Sequence, residues 1–191
     1  GFVLGFSVAI VRNVYENTKK LKILNFICNI YLTVIRGTPV VVQLLIIYFV
    51  IFSSVRIDKS FAAILAFGIN SGAYQAEIFR SGINSVPKGQ MEAGRSLGFS
   101  YPQTMINIIM PQAIKNVLPT LANEFIVLMK ETSVAGYIAL EDLTKAGDVI
   151  RSRTYSAMMP FLAVALLYLI MVMLFSYLVK LLERRLARSG R

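Results

Sequence analysis

Two acidic residues lie inside apolar segments of this 191-residue sequence, where each could bind a cationic group. Glu77 lies near the end of segment 61–81, and Glu124 lies near the middle of segment 112–130. A lone charged carboxylate at the centre of a membrane helix costs roughly 2.5–3.5 kcal/mol, so it needs a partner, water or a ligand. Carboxylates hold ammonium and guanidinium groups through charge-assisted hydrogen bonds. The chemistry that these residues offer is therefore binding.

Amide and hydroxyl groups accompany both acids, within two turns of Glu77 and directly before Glu124. The alternative for Glu77 is an ion pair with Arg80, which follows it by three residues on the same helix. No cation lies one turn from Glu124. The candidate substrate-binding residues are Asn70, Ser71, Glu77, Asn123 and Glu124.

Several kinds of catalysis are excluded by composition. The sequence has no His and one Cys, Cys28, so a metal site of His and Cys ligands and a Ser-His or Cys-His nucleophile are not expected. It also has no glycine-rich phosphate loop that ends in Lys-Ser/Thr. We therefore expect no enzyme, no metal and no cofactor on this chain.

The elements that must position these residues are membrane helices. Hydrophobic residues make up 56% of the sequence and the mean hydropathy is +0.64, which is typical of a membrane protein. We predict a single all-α integral membrane domain over 1–191. The first span is expected to be the inner end of a helix that starts before Gly1, because 11 residues are too few to cross a bilayer. The predicted spans are 1–11, 26–53, 61–81, 112–130 and 158–179.

Two of these spans have special features. In 26–53, Gly37 and Pro39 predict a kink or a new helix start near Thr38, with Arg36 at the inner membrane edge. A gating or substrate role for Gln43 is the alternative to this structural interpretation. Segment 61–81 is rich in Ala, Gly and Ser, which predicts a helix packed closely among other helices.

Charge sets the predicted orientation. The net charge is +10, and Lys and Arg concentrate in 12–22, in 82–110 and in the C-terminal tail from Lys180. Positive segments remain on the cytoplasmic side of membrane proteins. We therefore predict a cytoplasmic C-terminus and a cytoplasmic element at 82–111.

This cytoplasmic element contains a spaced motif. Its sequence from Glu92 to Pro111 is EAGRSLGFSYPQTMINIIMP. Gly98 is expected to end a short helix near 91–97, and Pro111 is expected to start the next apolar helix. A polar helix between two membrane spans predicts a contact with a partner in the cytoplasm.

The motif resembles the "EAA" signature of permease subunits in bacterial ATP-binding-cassette (ABC) importers. That signature is Glu-Ala-Ala, three residues, Gly, nine residues, Ile, one residue, Leu-Pro. This sequence departs from it at Gly94 and Met110 only. Arg36-Gly-Thr-Pro, the run from Ser71 to Arg80, and Asn123-Glu-Phe-Ile resemble the branch that imports polar amino acids.

The resemblance implies a type I importer fold with five core helices and a coupling helix. It also implies a second permease subunit, two cytoplasmic ATPase subunits that bind the ATP, and an extracellular binding protein, all at a bacterial plasma membrane. Two carboxylates per subunit would make a basic amino acid the leading substrate, with glutamine or another polar amino acid as the alternative. The implied coupling residues are Glu92, Ala93, Gly94, Arg95 and Gly98.

Two other classes compete with this interpretation. A passive channel or an ion-coupled carrier also uses acids inside the membrane, but it would work without an ATPase. A membrane scaffold without transport would leave Glu124 unexplained. The sequence leaves open which amino acid is carried and whether the two permease subunits are identical.

Overall fold

The computed structural model describes residues 1–188, and this part of the chain is helical without any β-strand. The all-α class is therefore confirmed. Two π-helical turns follow α3 and α6, at Ile47–Ile51 and Met105–Ile109, and a 3₁₀ segment follows α7 at Thr132–Ile138. The helices are α1 (Phe2–Thr18), α2 (Lys22–Gly37), α3 (Val40–Ile46), α4 (Lys59–Asn84), α5 (Lys88–Ser96), α6 (Tyr101–Thr104), α7 (Met110–Glu131), α8 (Leu143–Thr154) and α9 (Met158–Arg188).

Helix α4 is the centre of the bundle and packs against α1, α2, α3 and α7. Its small residues permit this, as the composition of 61–81 predicts. At Gly5 of α1, an added Cβ would lie 2.8 Å from the carbonyl oxygen of Gly72. The backbones of α1 and α4 therefore approach each other more closely than any larger residue would allow.

A sharp bend separates α2 from α3. The axis of Lys22–Gly37 and that of Val40–Ile51 differ in direction by 109°. Thr38 and Pro39 have extended backbone conformations, because proline disfavours helical dihedral angles in the residue before it and lacks an N–H of its own. Of the two outcomes predicted near Thr38, a kink or a new helix start, the structure has the new start, because α2 ends at Gly37 and α3 begins at Val40.

The helix that contains Glu124 begins earlier than its proline suggests. Ser100 and Gln103 form a reciprocal capping box that starts α6. The residues at the junctions of α6, the π-helical turn and α7 all have right-handed helical dihedral angles. Pro111 lies in the first turn of α7 as expected, but the backbone is helical from Tyr101 to Glu131. The chain also remains helical through Pro119.

Other boundaries differ from the sequence predictions. Helix α1 continues to Thr18, so that Arg12 and Glu16 lie on a helix and only 19–21 connect it to α2. Helix α8 begins after Asp142, whose carboxylate accepts a hydrogen bond from the backbone N–H of Lys145. Part of the predicted basic tail, 189–191, lies outside the described residues.

One described helix is long and apolar enough to cross a membrane alone, at Met158–Leu186 with a mean hydropathy of 2.6. The helices α2 and α3 pass the same criterion together as the bent pair. By contrast, α4 buries small residues together with Asn70, and α7 carries the acids Glu124 and Glu131. The five predicted membrane crossings remain a prediction.

Candidate functional site: a charged cavity between α4 and α7

The site begins at the bend between α2 and α3, which a hydrogen-bond network holds in place. The amide nitrogen of Gln43 donates to the backbone oxygens of Ile35 and Thr38, at 2.8 and 3.1 Å, and to the hydroxyl of Thr38 at 2.9 Å. These bonds satisfy backbone carbonyls that the end of α2 leaves without helical partners. The side-chain oxygen of Gln43 accepts from Asn70 of α4 at 3.1 Å. The network therefore fixes the end of α2 against α4.

Glu77 of α4 is surrounded by three arginines, each on a different helix. Its Oε1 accepts from Arg12 of α1, and its Oε2 accepts from Arg80 of α4 at 3.3 Å. Arg36, from the last turn of α2, lies 3.8 Å from Oε1. Arg80 also contacts Glu16 of α1 at 3.3 Å. The predicted Glu77–Arg80 pair is present, but it belongs to a cluster with an excess of positive charge.

Glu124 of α7 has a different environment. It is half-buried, and among residues 1–188 it makes no ion pair and no hydrogen bond. A carboxylate that is removed from water without a partner is costly unless a ligand compensates for it. Glu124 is therefore the free acid of this site.

Glu77 and Glu124 line one cavity of about 430 Å³ between α4 and α7. This volume is within the range of cavities that hold small molecules. Arg36 is the third charged residue on its wall. The uncharged polar residues of the wall are Ser81, Ser85, Asn116 and Thr120. The cavity thus offers one engaged acid, one free acid, one cation and several hydroxyl or amide groups.

The structure places the remaining candidates away from this cavity. Asn70 is 2% exposed, and its amide nitrogen is engaged by Gln43. Ser71 accepts a hydrogen bond from Gln75 at 2.8 Å and lines a different cavity. Asn123 is exposed and is not among the residues of the cavity wall. Only the two acids among the five candidates are brought together.

The sequence analysis did not assign Arg12 or Arg36 to the site. Arg12 precedes Glu77 by 65 residues and lies in a segment expected to be a cytoplasmic loop. Arg36 was expected at the membrane edge, whereas its guanidinium lies 5.6 Å from the centre of the Tyr74 ring, beside the cavity. The sequence did contain a signal: α1 and α2 each carry one of these arginines, and both helices pack against α4, which is rich in small residues.

The second candidate site is α5, a short helix that is mostly exposed. Gly94 is the buried residue of α5 and faces Thr104 and Ile108. Gly98 has a φ of +89°, which L-residues rarely adopt, and it ends the helix where the spacing predicts. The predicted coupling residues Glu92, Ala93 and Arg95 are exposed, and Leu97 is 77% exposed.

Helix α5 lies at the same end of the bundle as the basic end of α1. The hydroxyl of Tyr101 donates to Asn13 of α1 at 3.3 Å, and burial raises the pKa of the Tyr101 hydroxyl. The segments 12–22 and 82–110, both predicted to be cytoplasmic, are therefore adjacent. None of the residues that line the charged cavity belongs to α5. The two sites are linked through α4, which lines the cavity and is followed in the chain by α5.

Comparison with known proteins identifies the family. Residues 1–188 match the family model described as binding-protein-dependent transport system inner membrane component. The glutamine transport system permease protein of Escherichia coli K12 is 41% identical over 167 residues, which cover 86% of this chain and 76% of that protein. The arginine transport system permease protein of Bacillus subtilis is 38% identical over 163 residues, which cover 84% and 74%.

A solved structure has the same fold. It is described as the crystal structure of an amino acid ABC transporter with histidines, and it is 42% identical with a TM-score of 0.89. The match covers 97% of this chain and 85% of that one. The helical arrangement described above is therefore that of a type I importer permease.

Proposed function

The chain belongs to the family of binding-protein-dependent transport system inner membrane components, and we propose that it is the membrane subunit of an importer of polar amino acids. In this proposal an ATPase on partner subunits drives alternating access, and this chain binds no ATP or other cofactor. The cavity between α4 and α7 receives the amino acid during transport.

One observation carries the assignment of the cavity. Glu124 lines a cavity of about 430 Å³, and its carboxylate has no hydrogen-bond or ion-pair partner among the described residues 1–188. An ammonium group would supply the missing charge-assisted hydrogen bonds. No contact within the described residues offsets the desolvation cost of this carboxylate, and a bound cationic ligand would offset it.

The substrate class follows from the state of the second acid. A preference for basic amino acids would need two available carboxylates, but both oxygens of Glu77 accept hydrogen bonds from arginines. One free acid suffices for an α-ammonium group, which glutamine and arginine share. We therefore propose that Glu124 holds the α-ammonium group, and that the cavity accepts neutral polar as well as basic amino acids.

The test is uptake of arginine and of glutamine by the Glu124→Gln variant, assembled with its ATPase and binding protein in vesicles. We expect both to fall by roughly 10- to 100-fold, the effect of losing a hydrogen bond to a charged group. Glu141→Gln, an exposed acid in the loop before α8, is the matched control and should retain uptake. A loss restricted to arginine would reassign Glu124 to the basic side chain, and retained uptake of both would reject the cavity.

The exposed helix α5 supports a coupling role. Its buried residue, Gly94, packs against Thr104 and Ile108, while Glu92 and the C-cap residue Leu97 are exposed to solvent. An exposed leucine beside charged residues suits a groove on another protein. We propose that each of two ATPase subunits holds one α5, from this chain and from a second permease subunit.

The coupling proposal makes a separate measurement possible. In vesicles with ATPase and binding protein, Glu92→Lys or Gly98→Pro should uncouple ATP hydrolysis from uptake. The control Glu141→Lys makes the same charge change far from α5 in sequence. Uptake that persists in the Glu92 and Gly98 variants, or that needs no ATPase subunit, would favour a channel or an ion-coupled carrier instead.

The orientation is proposed from charge. Helix α9 ends with Lys180, Arg184 and Arg185, which favour the cytoplasmic side of a bacterial plasma membrane. In a Cys28→Ser background, a cysteine placed at Glu183 should react with an impermeant thiol reagent in inside-out vesicles only. A cysteine placed at Glu141 should react in right-side-out vesicles only. The reverse pattern would overturn the orientation.

A further inference from the structure

Arg36 is the least engaged charge of the cluster around Glu77. The two oxygens of Glu77 accept hydrogen bonds from Arg12 and Arg80, whereas Arg36 remains at an ion-pair distance of 3.8 Å. Within the described part of the chain, none of the donors of Arg36 makes a hydrogen bond. Its side chain is 43% exposed and lies on the wall of the cavity. A guanidinium with unused donors therefore faces the same space as Glu124.

The backbone that carries Arg36 is held at the bend, and its guanidinium contacts one aromatic ring. Arg36 belongs to the last turn of α2, and the bonds from Gln43 hold that end of α2 at the bend. Asn70 ties Gln43 to α4. The guanidinium carbon of Arg36 lies 5.6 Å from the centre of the Tyr74 ring, and the two groups form a cation–π contact. The end of α2 therefore places the side chain of Arg36 on the wall of the cavity.

We propose that Arg36 is the receptor for the α-carboxylate of the transported amino acid, while Glu124 holds the α-ammonium group. The planar guanidinium presents paired N–H donors that match a carboxylate in a bidentate fashion. A cation and an anion on one wall recognise the zwitterion that all α-amino acids share. This inference rests on the proposed function, and it adds a residue that the sequence analysis placed at the membrane edge.

Apart from Glu77, which Arg12 and Arg80 engage, the other polar groups of the wall carry no charge, as expected if the site binds the zwitterion. Ser85 and Asn116 are joined by a 2.8 Å hydrogen bond on the same wall, together with Ser81 and Thr120. These groups could donate to or accept from a side-chain amide, and they carry no charge that would exclude a basic side chain. Selection at this site is therefore for the backbone of the amino acid, with a weak preference among polar side chains.

A purely structural role is the competing explanation for Arg36. In that case it would only add positive charge beside Glu77 and near the carboxyl end of α2. Such a role would affect stability, but it would not make the protein sensitive to the α-carboxylate of a ligand. Discrimination between an amino acid and its α-amide is therefore the informative measurement.

The experiment is calorimetric titration of the permease–ATPase complex, without binding protein, with L-glutamine, L-arginine and their α-amides, L-glutaminamide and L-argininamide. The amides keep the α-ammonium group and the side chain but lose the carboxylate. In the wild-type complex we expect each amide to bind roughly 10- to 100-fold more weakly than its amino acid. In Arg36→Gln the amino acid should fall to the affinity of the amide, and Arg36→Lys should be intermediate. Arg56→Gln, an exposed arginine before α4, should behave like the wild type.

The outcomes separate the two proposals. Equal affinity of amino acid and amide in the wild-type complex would overturn the role of Arg36, even if the Arg36 variants did not fold. Discrimination that survives in Arg36→Gln would also overturn it, and Glu124 would keep its assignment. If Glu124→Gln bound both ligands like the wild type, the cavity itself would be rejected, and with it the proposed function of this site.

Discussion

Asn70 of α4 donates a hydrogen bond of 3.1 Å to the side-chain oxygen of Gln43, which in turn holds the carbonyls at the end of α2. Two amide side chains therefore connect the central helix to the sharpest bend of the molecule. The amides that the sequence offered as candidates for binding or gating are used to build the site. Arg36, which lies at this bend, lines the cavity together with Glu77 and Glu124.

The Asn70→Ala variant is predicted to be less stable. It leaves Oε1 of Gln43 unpaired in a buried position, which costs about 1–3 kcal/mol. We expect a lower midpoint of thermal unfolding for the purified permease–ATPase complex. Asn29→Ala, on the exposed face of α2, is the control and should change the midpoint little. Equal shifts for the two variants would show that the Asn70–Gln43 bond does not stabilise the bend.

The Glu77→Gln variant is predicted to be destabilising, because it leaves Arg12, Arg36 and Arg80 without the carboxylate that they share. The side chains of Arg12 and Glu77 are 18% and 24% exposed, so the loss should lie between the values for exposed and buried pairs, at about 1–3 kcal/mol. Thermal unfolding measures it, with Glu141→Gln as the control. An unchanged midpoint would mean that solvent screens the cluster.

The Glu124→Gln variant is predicted to have the opposite effect on stability. Its carboxylate is half-buried and has no partner within residues 1–188, so replacement by an amide removes a desolvation cost of the order of 1 kcal/mol or more. We expect a raised unfolding midpoint together with reduced uptake, which is the usual trade between stability and function at a binding site. A lowered midpoint would indicate that Glu124 has a structural partner in the assembled transporter.

Two glycines of the same short helix, α5, predict opposite responses to alanine. A Cβ at Gly94 would lie 2.5 Å from Cγ2 of Thr104, which is fully buried, whereas a Cβ at Gly89 would meet nothing within 4 Å. Gly89→Ala should gain up to about 1 kcal/mol from helix propensity. Gly94→Ala should lose about 1–2 kcal/mol, because the overlap exceeds that gain.

Hydrogen exchange of the α5 amides and the unfolding midpoint measure both effects. Faster exchange in Gly94→Ala than in the wild type, with slower exchange in Gly89→Ala, is the expected pattern. Stabilisation by Gly94→Ala would mean that α5 moves away from Thr104 at little cost. The family signature, which has alanine at this position, would then be compatible with this structure without repacking.

Helix α5 was largely predictable from sequence because its determinants are local. The spacing from Glu92 to Pro111 identified the element, and Gly98 ends α5 because few residues other than glycine tolerate a φ of +89°. The start of α5 was predicted less accurately, because the helix begins at Lys88 and the sequence predicted a start near Met91. Helix ends without a strong cap vary by one turn in such predictions.

The sequence by itself determined the class of this protein, the close packing of α4 and the identity of the two acids. These follow from composition, from small residues and from short spacings, all of which act within a few residues of one another. Only the tertiary structure decided that Glu77 is neutralised and Glu124 is not. Arg12, 65 residues before Glu77, reaches it because Gly5 and Gly72 let α1 approach α4, and Arg36 reaches it because the chain turns by 109° after Gly37. The charge state of a binding site depends on such long-range approaches, and no local pattern encodes them.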